Sequence, residues 1–123
     1  MYLHPNVYDQ GLAWLVANAA RIDICSAEPA TYAKATTDAD LSLGNETGIT
    51  VGAPATDGGN GRKVTVPAVA AGDVTETGTA SHWAITDGAG ILIATGPLAA
   101  GQVVTDGNTW SMAAFDITMP GLA

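Results

Sequence analysis

"SHWAITDGAGILIATGPL", residues 81–98, decides how this chain folds. Apolar residues recur on both sides of Asp87-Gly88, and Asp-Gly is a dipeptide for which the left-handed backbone of a tight reversal is cheap. The stretch reads as the heart of a β-hairpin over about 79–97. Strand alternation in "TASHWAIT" puts Trp83 and Ile85 on one side with Ser81, and His82 on the other with Ala80, Ala84 and Thr86. A histidine beside a tryptophan, within reach of an aspartate, also raises the question of chemistry.

Working outward, everything beyond Leu41 has the same character. "LSLG", "GITVGA", "RKVTVPAV", "GDVTETGTASHWAIT", "ILIATGPL", "QVVT" and "NTWSMAAFDITMP" are rich in Val, Ile, Thr and aromatic residues, which suit a pleated, half-buried surface. The turns "TDGGNGR", "TDGAG" and "TDGNT" separate them. Short strands at this spacing predict a mainly β chain, an antiparallel β-sandwich or small barrel. Phe115, Ile117 and Met119 form one row and Trp110 and Met112 the opposite one; a bulge near Ala113–Ala114 would bring all of them inside. Trp83, Phe115, Ile117 and Val66 are the expected core, each worth on the order of 1.5–3 kcal/mol when buried.

The one convincing helix is N-terminal, about residues 6–19, with Asn6 as cap, Asp9 in the first turn, and Tyr8, Leu12, Leu15, Val16 and Ala19 on one stripe. That this helix precedes the strands and is not interleaved with them argues against a doubly wound α/β fold. Trp14 points away from the stripe, beside Gln10, Ala17 and Asn18. Either the helix lies between the sheet and its own loops, or Trp14 anchors another subunit. "EPATYAKATT" reads as a turn or a single helical turn.

With 123 residues, 47% hydrophobic and 13% charged, the chain is expected to be a single domain, 1–123, that buries a real core. Its net charge of −8 argues against nucleic-acid partners, which need a basic footprint, and against adsorption to anionic membrane. The apolar run "GLAWLVANAA" is about ten residues, too short to span a bilayer. Residues 1–20 show no signal-peptide pattern, so synthesis in a cytoplasm is expected. The single cysteine, Cys25, allows no internal disulfide and reads as a buried thiol.

Chemistry finds little support in the pattern. His4 and His82 stand in no H-x-H or H-E-x-x-H spacing, so no metal and no cofactor is expected. Ser81, His82 and Asp87 are too close along one strand to form a catalytic triad, and no G-x-S-x-G elbow exists. A Cys25–His82 pair stays open, with nothing local to support it. Asp57, Asp87 and Asp106 sit in turns, where bonding to their own backbone accounts for them; calcium held by "TDGGN" or "TDGAG" is a minor alternative. "TDGGNGRK" lacks phosphate-loop spacing and opens no helix. No catalytic residue is assigned, and the chain is read as a non-enzyme.

The C-terminal half, "VTETGTASHWAITDGAGILIATGPLAAGQVVTDGNTWSMAAFDITMP", resembles a module of small virion proteins from tailed bacteriophages. The N-terminal "HPNVYDQGLAWLVANAARIDICSAEPATYAKAT" is similar to a longer version of that module, so the resemblance spans about residues 4–119. It implies a virion structural protein made in the host cytoplasm: a capsid decoration protein on the major capsid protein lattice, or a fibre, collar or tail component bound to other virion proteins. A homo-oligomer is expected, with Tyr2, Trp14 and Trp110 as interface residues and "MYLHPN" as an arm or a frayed end. From another class comes a carbohydrate- or receptor-binding module, for which Trp14 and Trp110 are the available platform. A small hydrolase stands third.

Overall fold

The structure, a computed structural model, describes residues 5–37, 40–56 and 62–119; the side chains of residues 5–10 and 56 lie outside that description. Tyr2, His4, the 57–61 loop tip, and the side chains of Asn6, Tyr8 and Asp9 are therefore outside it as well. The chain is mainly β, with one short N-terminal helix. In order it forms α1 (Pro5–Asn18), β1 (Arg21–Cys25), α2 (Tyr32–Thr36), β2 (Ser42–Thr47), β3 (Ala55–Thr56), β4 (Arg62–Val66), β5 (Val69–Val74), β6 (Gly78–Thr86), β7 (Leu92–Val104), β8 (Thr109–Met112) and β9 (Phe115–Met119).

Two antiparallel sheets result. The larger, in the order β7-β6-β1-β2-β5-β8, curls into a half-barrel; the smaller is β3-β4-β9. They are joined by one bent ribbon. Val66 pairs with Phe115 in the small sheet and Val69 pairs with Met112 in the large one, so the register carries across the corner as if nothing intervened. Pro67 marks the bend on one strand, where it has no N–H to give a ladder, and Ala113–Ala114 marks it on the other. The expected bulge at Ala113–Ala114 is thus a corner, and "RKVTVPAV" is two strands in different sheets. Turning the corner lets Trp110, on one alternation, and Ile117, on the other, both reach the core, at 2% and 0% exposure.

The hairpin forms as read. Asp87 Oδ1 accepts the backbone N–H groups of Ala89, Gly90 and Ile91 at 2.8, 2.9 and 2.9 Å, and Gly88 takes φ 74°. Register slips beyond Ala80, which opposes Gln102 while His82 opposes Pro97, so residues 98–101 bulge out of β7. That irregularity corrects the face of Ala80: it joins Trp83 and Ile85 in the main core, while Ala84 faces a second, smaller core with Cys25, Ala35 and Leu92. "GITVGA" also departs from expectation. Gly48 takes φ 69°, no strand forms over 48–53, and the segment is held as coil by buried Val51 and by Gly52 N–H donating to the Thr65 carbonyl at 3.0 Å.

Helix α1 contains a break that its apolar stripe conceals. Gly11 sits at φ 69°, ψ −165°, conformations a helix does not contain, and only the part after it carries the buried Leu12 and Leu15. The short α2 appears where a single helical turn was expected, with Thr31 accepting from Lys34 N–H at 3.2 Å.

Trp83 requires a glycine opposite it. A Cβ on Gly96, its cross-strand partner, would lie 2.6 Å from the indole ring. Gly96→Ala is expected to lower the unfolding free energy by about 1–3 kcal/mol through overpacking, whereas Gly90→Ala, where a Cβ meets nothing within 4 Å, should stay within about 0.5 kcal/mol in the same urea titration. A second expectation concerns acid. Slight desolvation pushes the Asp87 pKa up, but the N–H groups of Ile91, Ala89 and Gly90 together outweigh it and hold the carboxyl below its ordinary value. Stability gained this way is present above the unfolded value of about 3.9 and is lost as pH falls through the depressed folded value. Asp87→Ala should cost about 1–2 kcal/mol at pH 7 and flatten the acid limb of the stability curve below about pH 4.

Candidate functional site

Polar side chains gather in two places on β1 and β6. On β1, Arg21, Asp23 and Cys25 share the face covered by α2. Asp23 is fully buried, and Arg21 meets it through two parallel N–H donors at 2.7 and 2.8 Å. Ser42 on the neighbouring strand donates to the second carboxylate oxygen at 2.7 Å, and Arg21 reaches on to the Thr36 carbonyl at the end of α2 at 3.3 Å. An unpaired buried charge would be costly, so this arrangement fastens the α2 segment over the sheet. The R-x-D spacing, which places both residues on one strand face, was the available signal for it, and the sequence reading passed over it.

The second cluster surrounds His82. Ser81 Oγ lies 2.8 Å from His82 Nδ1, and His82 Nε2 lies 3.8 Å from a Glu28 carboxylate oxygen. This has the composition of a hydrolytic triad with the wrong polarity. With the Ser81 hydroxyl donating to the Ser26 carbonyl at 2.9 Å, its oxygen is left to accept from the ring at Nδ1. Cys25 is the cross-strand partner of His82, so the two residues left open by the sequence are neighbours. The thiol nevertheless points to the Ala35 carbonyl at 3.8 Å. Burial, and after it the Asp23 carboxylate, push the thiol pKa up to about 12 against a smaller opposing pull from Arg21. Such a group supplies no thiolate at neutral pH.

The "TDGAG" loop also has the wrong polarity for calcium. Asp87 Oδ1 is surrounded by three N–H donors of its own turn, where a cation would need oxygen ligands. Among the described residues no group of three or more His, Cys, Asp or Glu side chains is placed to hold a metal ion.

The ribbon corner makes a groove. Where β8 turns into β9, the chain leaves an open groove of about 760 Å³, with Ser111–Asp116 as one wall and the bulged stretch of β7, Gly96–Gln102, as the other. Trp83 and Phe115 form its floor, their ring centroids 4.7 Å apart at 42°. Among the described residues, Asp116 is the only charged one that lines the groove. Its carboxyl is held below the ordinary range, first by the Thr65 hydroxyl at 2.7 Å and then by Lys63 at 3.3 Å. A smaller hollow of about 380 Å³ lies between residues 46–50 and 67–71 and has no aromatic floor.

No family model, curated protein or solved structure matches the chain.

Two of the three expected interface residues fall within the described part. Trp110 is a correction: its ring is buried over Gly44 and Gly72, where a Cβ would come 3.0 and 2.4 Å from it, and its indole N–H donates to the Asp73 carbonyl at 3.1 Å. It serves the fold and offers no exposed ring to a partner. Trp14 is half-buried and packs against the main core. Tyr2 lies outside the described residues. The groove was not visible in the sequence because its walls come from segments apart along the chain. In native protein, Cys25 should react with a thiol-specific disulfide reagent at pH 8 no faster than the chain unfolds, and within seconds once urea exposes it; rapid native labelling would show a more accessible thiol.

Proposed function

We propose that this chain is a non-enzymatic structural subunit of a tailed-bacteriophage virion, a decoration protein bound to the outer face of the major capsid lattice. The phage context rests on the resemblance of residues 4–119 to small virion proteins. The observation that carries the contact role is the aromatic-floored groove, lined by apolar and small residues apart from Asp116, on a chain whose net charge is −8. A concave apolar surface of this kind is a place for another protein to sit. The polar side chains that could be mistaken for machinery are each held in a hydrogen-bond arrangement that serves the fold.

In this reading the mechanism is repetition. A small contact, made at every position of a lattice, adds up to substantial reinforcement against internal DNA pressure without any single strong bond. Acidity keeps an abundant free subunit soluble before it docks. A fibre, collar or tail position uses the same surface at a lower copy number. The sugar-binding alternative loses its platform, because Trp110 is buried and Trp14 half-buried.

The test is a comparison of particles with and without the protein. Decoration predicts a copy number near that of the major capsid protein by quantitative mass spectrometry, and earlier DNA release on heating or osmotic shock in its absence. Equal resistance of the two particle types would overturn the cement role, and a handful of copies per particle would move the protein to a fibre, collar or tail.

A further inference from the structure

We infer that the groove is covered by a second copy of this chain, the bulged lip of each copy filling the groove of the other about a twofold axis. The inference rests on the contact role given to the groove above and names its first occupant.

Charge selects that occupant. From Gly88 to Thr105 the sequence contains no ionisable side chain, and none occurs from Gly107 to Phe115. These segments supply β7, β8 and all of the groove except the uncharged Trp83 of β6 and Asp116, whose charge is answered by Lys63 at 3.3 Å. Most of the acidic residues lie elsewhere in the chain. A basic partner would gain more on those carboxylate-bearing surfaces than here. A like-charged partner has the opposite need: two bodies of −8 each can approach closely only across a face that contributes no repulsion. At physiological salt the screening length is about 8 Å, so carboxylates farther away oppose such contact only weakly.

Shape is compatible with the same occupant. A twofold contact requires a protrusion and a recess side by side on one surface. Residues 98–101 protrude because β7 bulges against β6, and the groove they border lies directly beside them. Ala99, Ala100, Ala113 and Ala114 are exposed and small, so two backbones can come close. Strands β7 and β8 are the two edges of the six-stranded sheet, and Val103 on β7 is 78% exposed, more than any other large apolar side chain among the described residues. Pro97 and the bulge interrupt the edge and keep it from pairing indefinitely, which favours a closed pair over a growing sheet.

Sedimentation velocity on the full chain, from micromolar to millimolar concentration, tests this. The wild type should pass from monomer to dimer, and the dimer should tighten as NaCl is raised, because salt screens the mutual repulsion and breaks no charge pair. Ala99→Asp combined with Ala113→Asp should weaken dimerisation at least tenfold with an unchanged melting temperature, since both positions are exposed. Thr50→Asp, in the smaller hollow, should leave it intact. A monomer at all concentrations, a dimer that loosens with salt, or a dimer lost with Thr50→Asp and retained in the double variant would overturn the inference. Particle binding is read separately: a monomeric protein that still loads onto particles refutes the dimer alone, and a dimer that no particle takes up refutes the virion role alone.

Discussion

The bend in one antiparallel ribbon is the constraint on which the rest of this structure depends. Strands β4–β5 and β8–β9 keep a common register through the corner at Pro67 and Ala113–Ala114, so a single pair of chain segments belongs to both sheets. The corner needs something to hold it, because neither Pro67 nor the alanines offer a large side chain to pack. Trp83 supplies this from β6, with its ring against Phe115, the first residue past the bend, and over Gly96 on β7. Trp110 does the same on the near side of the corner, lying over Gly44 and Gly72. Each tryptophan therefore ties a bent segment to a strand of the large sheet. The open groove is a by-product of the same bend, since a ribbon that leaves the half-barrel at β8 cannot also close its seam with β7.

Side chains with catalytic potential are present, and each of them takes part in a hydrogen-bond arrangement of the fold. Ser81 spends its proton on a backbone carbonyl, Cys25 is a buried thiol, and Asp87 is filled by its own turn. Asp23, the most deeply buried carboxylate, is matched by Arg21 and Ser42 and acts as a fastener for α2. Proximity alone would have suggested a Ser-His-Glu or a Cys-His site.

Local signals were legible in the sequence and non-local ones were not. The hairpin rested on Asp87-Gly88 and on alternation within a few residues, and it folds as its sequence reads. The helix rested on an apolar stripe, which remained intact to the eye while Gly11 broke the backbone beneath it. Alternation placed Trp110 and Phe115 in opposite rows, with a bulge at Ala113–Ala114 as the way to bring both inside; a corner between two sheets does so instead, because faces are counted afresh once a chain enters another sheet. Ala80 moved to the core for a related reason, a slip in register that only its partner strand reveals. The groove combines residues 96–102 with residues 111–116, and no pattern within either stretch announces the other.

The proposed role places this protein's contacts on the neutral side of an acidic body. Hydrogen–deuterium exchange on dilute and on concentrated protein examines that claim most directly, because it locates the contact surface without presuming it. The account predicts slower exchange at high concentration in residues 97–104 and 111–115, with no change around Ser26, Glu28 and His82. Protection confined to the His82 cluster, or to the acidic faces, with the corner exchanging at its dilute rate, would contradict it.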